Sequence, residues 1–168
     1  YQKLREKKVA KTSAVSIDAF VTAFTAHLEK GEDIVYVALS SGLSGTFSAA
    51  NIAAGELREK FPERNIYIVD SRSGSIGEGL IAYFAALKKA EEVASYAQEA
   101  AYQLCSWFTV DDLFFLKRGG RLSAATAIVG SLFMIKPILH ASEEGKLIPG
   151  SKARGRRGAI EALADAVE

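Results

Sequence analysis

The stretch "DIVYVALSSGLSGTFSAA" (residues 33–50) decides the fold. Its opening, "DIVYVAL", is β-branched and apolar on both faces, which suits a central strand of a parallel sheet better than a half-solvated one. A serine- and glycine-rich turn follows, and helix-forming residues resume directly after it. Phe47, Ala50, Ala54, Leu57 and Phe61 recur at near-helical spacing until Pro62, and "NIYIVD" (65–70) reads as a second buried strand. Strand, helix, strand implies a right-handed crossover and a parallel sheet. The Ser/Gly turn then lies at the carboxyl end of a strand, where open α/β sheets bind ligands because loops converge and helix N-termini point unpaired N–H groups outward.

Working outward, Ser16 stands as an N-cap, with Ile17, Phe20, Val21, Phe24 and Leu28 on one helical stripe that Gly31 closes. The second strand runs into another Ser/Gly loop, "SRSGSIGEG" (71–79), before an apolar helix from about Leu80 to Leu87. "EEVASYAQEAAYQL" (91–104) resembles an amphipathic helix, "CSWFTV" a strand, and "DDLFFLKRGG" a short helix opened by two acids and stopped by glycines. A small-residue helix is expected from Ser123 to about Phe133. "IKPILH" and "LIPGSK" then flank "SEEGK" (142–146) as a hairpin, and a last helix carries Ile160, Leu163, Ala164 and Val167 on one side. The fold class is α/β: a parallel βαβ sheet followed by a second, smaller α/β part with a hairpin. The change of element order near residue 95 divides the chain into 1–94 and 95–168.

The totals exclude several classes. The chain has 168 residues, about half of them apolar, enough for a core of one domain or slightly more. Lys and Arg number 21 against 20 Asp and Glu, so no bulk positive field draws a polyanion, and no nucleic-acid partner is expected. A single cysteine, Cys105, precludes an intrachain disulfide and points to a reducing, cytoplasmic compartment. No apolar run approaches the roughly 20 residues a spanning helix needs. The chain opens at Tyr1 and its last residues still read as helix, as a piece of a longer protein would.

In the "SSGLSGT" turn, Ser40, Ser41, Ser44 and Thr46 supply hydroxyls, Gly42 and Gly45 permit close backbone approach, and the following helix adds a positive dipole end. These ingredients suit a carboxylate or phosphate, and they also suit a tight turn with an N-cap and no ligand. A Walker lysine and a G-x-G-x-x-G fingerprint are both missing. Thr46 stands where a nucleophile elbow wants glycine. His27 reads as solvated and His140 as an ordinary residue near the hairpin, so neither makes a convincing catalytic base. Asp111 and Asp112, distant histidines and one cysteine do not form a metal set. Gly119 and Gly120 fix the direction in which Arg121 leaves "KRGGRLS", and "KARGRRG" (152–158) concentrates Lys152, Arg154, Arg156 and Arg157 in a nucleic-acid patch, a phosphate contact or, more commonly for such a run, a solvated helix entrance.

Taken in order, "KTSAVS", "VALSSGLSGTFSAA", "IVDSRSGSIGEG", "VDDLFFLKRGGRLSAATAIVGSLFMIKPIL" and "GKLIPGSKARGRR" resemble the DegV family of bacterial fatty-acid-binding proteins. Family members are longer at both ends. The resemblance implies a DegV-like two-part fold and a non-enzymatic carrier, the fatty-acid-binding subunit of a fatty acid kinase. Such a carrier holds one long-chain fatty acid, for example C16 to C18, and presents its carboxylate to a separate kinase subunit that makes acyl phosphate. No cofactor is implied beyond the bound fatty acid. The implied carboxylate contacts are Thr12 and Ser44, with Arg121 as neighbour and Ser13, Ser41 and Gly45 as second choices. "LIAYFAAL" (80–87) and "AIVGSLFMI" (127–135) are candidate tunnel walls. The rival reading is a serine-dependent hydrolase or phosphate-handling transferase using Ser44 and Arg121.

Overall fold

A computed structural model describes residues 2–6, 8–111, 113–121 and 135–166. After a short helix α1 (Gln2–Arg5), the chain forms α2 (Ile17–Leu28), β1 (Ile34–Ala38), α3 (Thr46–Lys60), β2 (Ile66–Asp70), α4 (Ile76–Ala86) and α5 (Val93–Gln103). Strands β1 and β2 pair in parallel from Ile34↔Ile66 to Ala38↔Asp70, with α3 as the crossover.

The two-faced apolar character of β1 explains its position. Ile34 and Tyr36 pack against the α2 and α3 cluster of Phe20, Phe24, Leu28, Ala54 and Leu57. Val35 and Val37 face the opposite cluster of Val69, Ile81, Ala85, Ala97 and Ala101, supplied by β2, α4 and α5. Helices therefore cover both faces of the sheet, and each fully buried large apolar side chain, Leu57 among them, contributes about 1.5 to 3 kcal/mol. Ser16 caps α2 by accepting the Ala19 N–H, and Gly31 ends it at φ +77°. Because α5 packs on α4 and β2, it lies within this layered unit and carries the chain past residue 95.

The second sheet is antiparallel, in the order β3 (Trp107–Thr109), β4 (Ile135–Ala141), β5 (Leu147–Arg154). Between β3 and β4 lies α6 (Phe114–Arg118), and α7 (Gly155–Asp165) follows β5. The hairpin falls where expected, its turn closed by Ser142 N–H to the Lys146 carbonyl at 2.8 Å, with Gly145 at φ +68°. A register shift at Ile138/Leu139 leaves Gly150 as the extra residue of β5. A Cβ at Gly150 would stand 2.6 Å from the Trp107 ring.

Three expectations need correction, and one about the basic run holds. Helix α4 begins at Ile76 rather than Leu80, because Gly77 and Gly79 hide its first turn from a propensity reading. "KARGRRG" is the solvated helix entrance expected: Lys152 and Arg154 lie at the end of β5, Gly155 at φ +70° begins α7, and Arg156 and Arg157 lie exposed in its first turn. The buried face of α7 centres on Ala159, so Ile160 is 54% exposed; small side chains bring this helix close to the sheet. Asp111 serves no helix dipole alone, since it pairs with Lys136 at 3.3 Å and Arg156 at 3.6 Å. The helix expected over 123–133, together with Asp112 and Val167, lies outside the described residues.

Candidate functional site

The loop after β1 is held from both sides. Leu43 and Ser44 N–H groups converge on the Ser40 carbonyl at 3.0 and 3.1 Å. Fully buried Ser40 accepts the Gly42 N–H at 3.1 Å and donates its hydroxyl to the Gly145 carbonyl at 2.8 Å, so the hairpin turn docks directly on this loop. A Cβ at Gly42 would come within 2.6 Å of the Glu144 carbonyl oxygen. This glycine admits the hairpin rather than a ligand.

Ser41 donates its hydroxyl to one Asp70 oxygen at 2.5 Å and its N–H to the other at 3.1 Å, which also accepts the Arg72 N–H at 3.0 Å. With its proton held by a carboxylate, the Ser41 oxygen offers an incoming acid only lone pairs. Ser44 and Thr46 differ. Their hydroxyls meet at 2.9 Å, Ser44 Oγ accepts the Thr46 N–H at 3.2 Å, and Thr46 Oγ1 accepts the Val15 N–H at 3.3 Å. This last bond tethers the segment carrying Thr12 and Ser13, both exposed, to the Ser/Gly loop. Gly45 is the N-cap of α3 and brings no side chain to cap it, and a Cβ built on Gly45 meets nothing within 4 Å.

Arg121 reaches the same loop from the other part of the chain. Gly120, at φ +73°, reverses the backbone after α6, and Arg121 N–H returns to the Leu116 carbonyl at 3.1 Å. Its Nε then donates to the Leu43 carbonyl at 3.1 Å, one residue from Ser44, and its guanidinium also bonds the Gly119 carbonyl. The fold thus gathers Ser41, Ser44, Gly45 and Arg121 around one loop, with Thr12 and Ser13 on the segment tethered beside it.

A cavity of about 480 Å³ is lined by Leu43, by the loop before α4 and its start, by residues 104–108, and by Ala141 and Leu147 of the second sheet. Leu80, from one of the two expected wall segments, lines it. Of the other segment, residues 127–134 lie outside the described residues. Ser73 and Ser106, which sequence reading did not single out, both line this cavity and bond each other, their hydroxyl oxygens 2.8 Å apart. Ser73 lies in the second Ser/Gly loop, which was visible in sequence; Ser106 carried no signal.

Charged groups near the site have identifiable perturbations. Burial holds the Glu78 carboxyl above its usual range, and burial followed by the nearby Glu78 charge raises the Tyr36 phenol. The Ser142 hydroxyl beside Glu144, in the hairpin turn, holds that carboxyl below its usual range. Among the described residues neither imidazole bonds a serine: His27 engages Glu32 at 2.6 Å, and His140 stacks on Trp107 with ring centroids 4.5 Å apart. No group of three metal-ligating side chains occurs among the described residues. No helix among them is long and apolar enough to cross a membrane.

A family model described as "DegV: Uncharacterised protein, DegV family" matches residues 1–168. The chain belongs to the DegV family. A DegV domain-containing protein of Clostridium perfringens is 43% identical over 173 residues, covering 100% of this chain and 60% of that protein. Among solved structures, a DegV lipid binding protein of Thermotoga maritima is 32% identical with a TM-score of 0.82, covering 99% of this chain and 58% of its own. A DegV family protein of Thermus thermophilus, described for fatty acid binding, is 31% identical with a TM-score of 0.83, covering 99% and 59%. This chain therefore spans about three fifths of the length of its DegV relatives. The DegV fold, a parallel pair of strands with a separate antiparallel sheet, is what the five ordered motifs implied.

Proposed function

We propose that this chain is the larger part of a non-enzymatic, cytoplasmic carrier that holds one long-chain fatty acid and presents its carboxylate to a separate kinase for acyl phosphate formation. Thr12 and Ser44 donate to the carboxylate, Arg121 orients the loop and lends positive charge, and Ser13 and Gly45 flank the headgroup. Ser41 is the weakest of the proposed contacts, because its proton is held by Asp70. The observation that carries this reading is the mostly apolar cavity lined by Leu43, the residue before Ser44, whose carbonyl accepts from Arg121.

The energetics favour a tail-driven carrier. Each CH₂ moved from water into the cavity contributes about 0.8 kcal/mol, whereas a hydrogen bond to a charged group contributes about 1.5 to 3 kcal/mol. A long acyl chain thus supplies most of the affinity and the hydroxyls supply orientation. The lipid- and fatty-acid-binding descriptions of the Thermotoga and Thermus relatives support the ligand class. Nucleic acid is not proposed as a partner, and within the basic run Arg156 and Arg157 are paired with Asp111 and Glu161.

The test is retention of added palmitate or stearate by Ser44→Ala and Thr12→Ala. Each folded variant is expected to release the ligand faster than the parent. Unchanged retention in both would move the headgroup site elsewhere. Hydrolysis of ester or phosphoester substrates that vanishes in Ser44→Ala would replace the carrier with an enzyme.

A further inference from the structure

The cavity is apolar over most of its wall, through Leu43, Ile76, Leu80, Leu104 and Trp107, yet two hydroxyls meet inside it. Ser73 is 5% exposed and Ser106 half-buried, and their oxygens stand 2.8 Å apart. Placing hydroxyls against an apolar chain costs free energy unless they are bonded, and apolar residues of similar size would line the same wall without that cost. Two hydroxyls carry two donors and four lone pairs, and their mutual bond uses one of each.

Backbone bonds fix both serines, the Ser106 carbonyl accepting from the Ala141 N–H at 3.2 Å. The Ser73 carbonyl accepts from Ser40 N–H at 2.9 Å and from Ser71 Oγ at 3.0 Å, while Ser73 N–H donates to Ser71 Oγ at 3.2 Å. Space for the pair depends on Gly77, where a Cβ would stand 2.1 Å from Ser73 Oγ and 2.9 Å from Ser106 Oγ. The two serines come from different parts of the fold, one preceding α4 and the other preceding β3.

We propose that the Ser73–Ser106 pair is a second polar contact in the ligand cavity, selecting acyl chains that carry an oxygen substituent, a hydroxyl or a ketone, along the tail. The inference rests on the fatty-acid reading above and adds the substrate class. An oxygen on the chain accepts from the second donor of the pair, or donates to its lone pairs, exchanging its bonds to water for bonds to the pair at a modest net gain. A plain chain leaves both uncompensated.

The experiment is competition between bound stearate and a panel of positional hydroxy- and oxo-octadecanoates, on the parent protein and on the double variant Ser73→Ala/Ser106→Ala. At least one oxygenated isomer is expected to bind about three- to tenfold more tightly than stearate, the worth of one neutral hydrogen bond. The double variant, which removes both hydroxyls, should lose that preference and still bind stearate. A purely structural role for the pair would lower stearate and oxygenated chains alike. The inference is overturned if no isomer outcompetes stearate on the parent, or if the preference survives in the folded double variant. Failure of the parent to bind stearate or any isomer would overturn the fatty-acid reading itself.

Discussion

Ser40 Oγ donates to the Gly145 carbonyl at 2.8 Å across 105 residues of sequence. That bond joins the carboxyl end of β1 to the β4–β5 turn, two elements of sheets that share no strand. Arg72 reinforces the junction by donating to the Glu143 carbonyl at 2.7 Å while stacking on the Tyr102 ring at 3.8 Å. The loop that carries Ser44 is therefore shaped by its neighbour sheet as much as by its own strand.

Ser40→Ala would leave the Gly145 carbonyl and the Gly42 N–H without their buried partner. The expected loss is about 1 to 3 kcal/mol in chemical denaturation. A loss within error of zero would mean that water replaces the hydroxyl and that the junction does not depend on it.

Two glycines of one helix should respond oppositely. Gly77→Ala forces a Cβ to 2.1 Å from Ser73 Oγ, and such overpacking costs about 1 to 3 kcal/mol. Gly79→Ala meets nothing within 4 Å, so it should be neutral or stabilise by up to about 1 kcal/mol through helix propensity. Thermal melts of the two variants, measured side by side, decide it; equal shifts would contradict the close approach at Gly77.

Arg121→Lys keeps the charge but loses the Nε–H that reaches Leu43. The expected result is a rise of about three- to tenfold in the release rate of bound fatty acid, with little change in melting temperature. An unchanged release rate would remove Arg121 from the headgroup machinery.

Glu78 gives a pH signature. Burial raises its carboxyl in the folded protein, so the native state binds this proton more tightly than the unfolded chain does. Its contribution to stability is complete below the unfolded value and is lost as pH rises through the raised folded value. Glu78→Gln removes that titration. The variant should melt above the parent near pH 7, with the margin shrinking toward about pH 4; a margin independent of pH would contradict the assignment.

Much of the fold was legible because its signals are local. The two-faced apolar run at 34–38, the capped stripe from Ile17 to Leu28 and the hairpin around 142–146 each declare themselves in a few residues. What stayed hidden depends on contacts distant in sequence. Nothing local marks Ser40 as the partner of Gly145, Ser41 as the donor to Asp70, or Ser106 as facing Ser73. The start of α4 was missed because Gly77, a poor helix former, is required by the side chains packed on it. The two-part division of the chain remains a proposal; α5, at residues 93–103, packs with the parallel sheet.

The central claim is that the loop around Ser44 holds an acid headgroup while the cavity from Leu43 takes the tail. Native mass spectrometry of the protein purified from bacteria tests it most directly. The account predicts a bound species with the mass of a long-chain fatty acid, released on denaturation. Recovery of ligand-free protein that also refuses added fatty acid would contradict it.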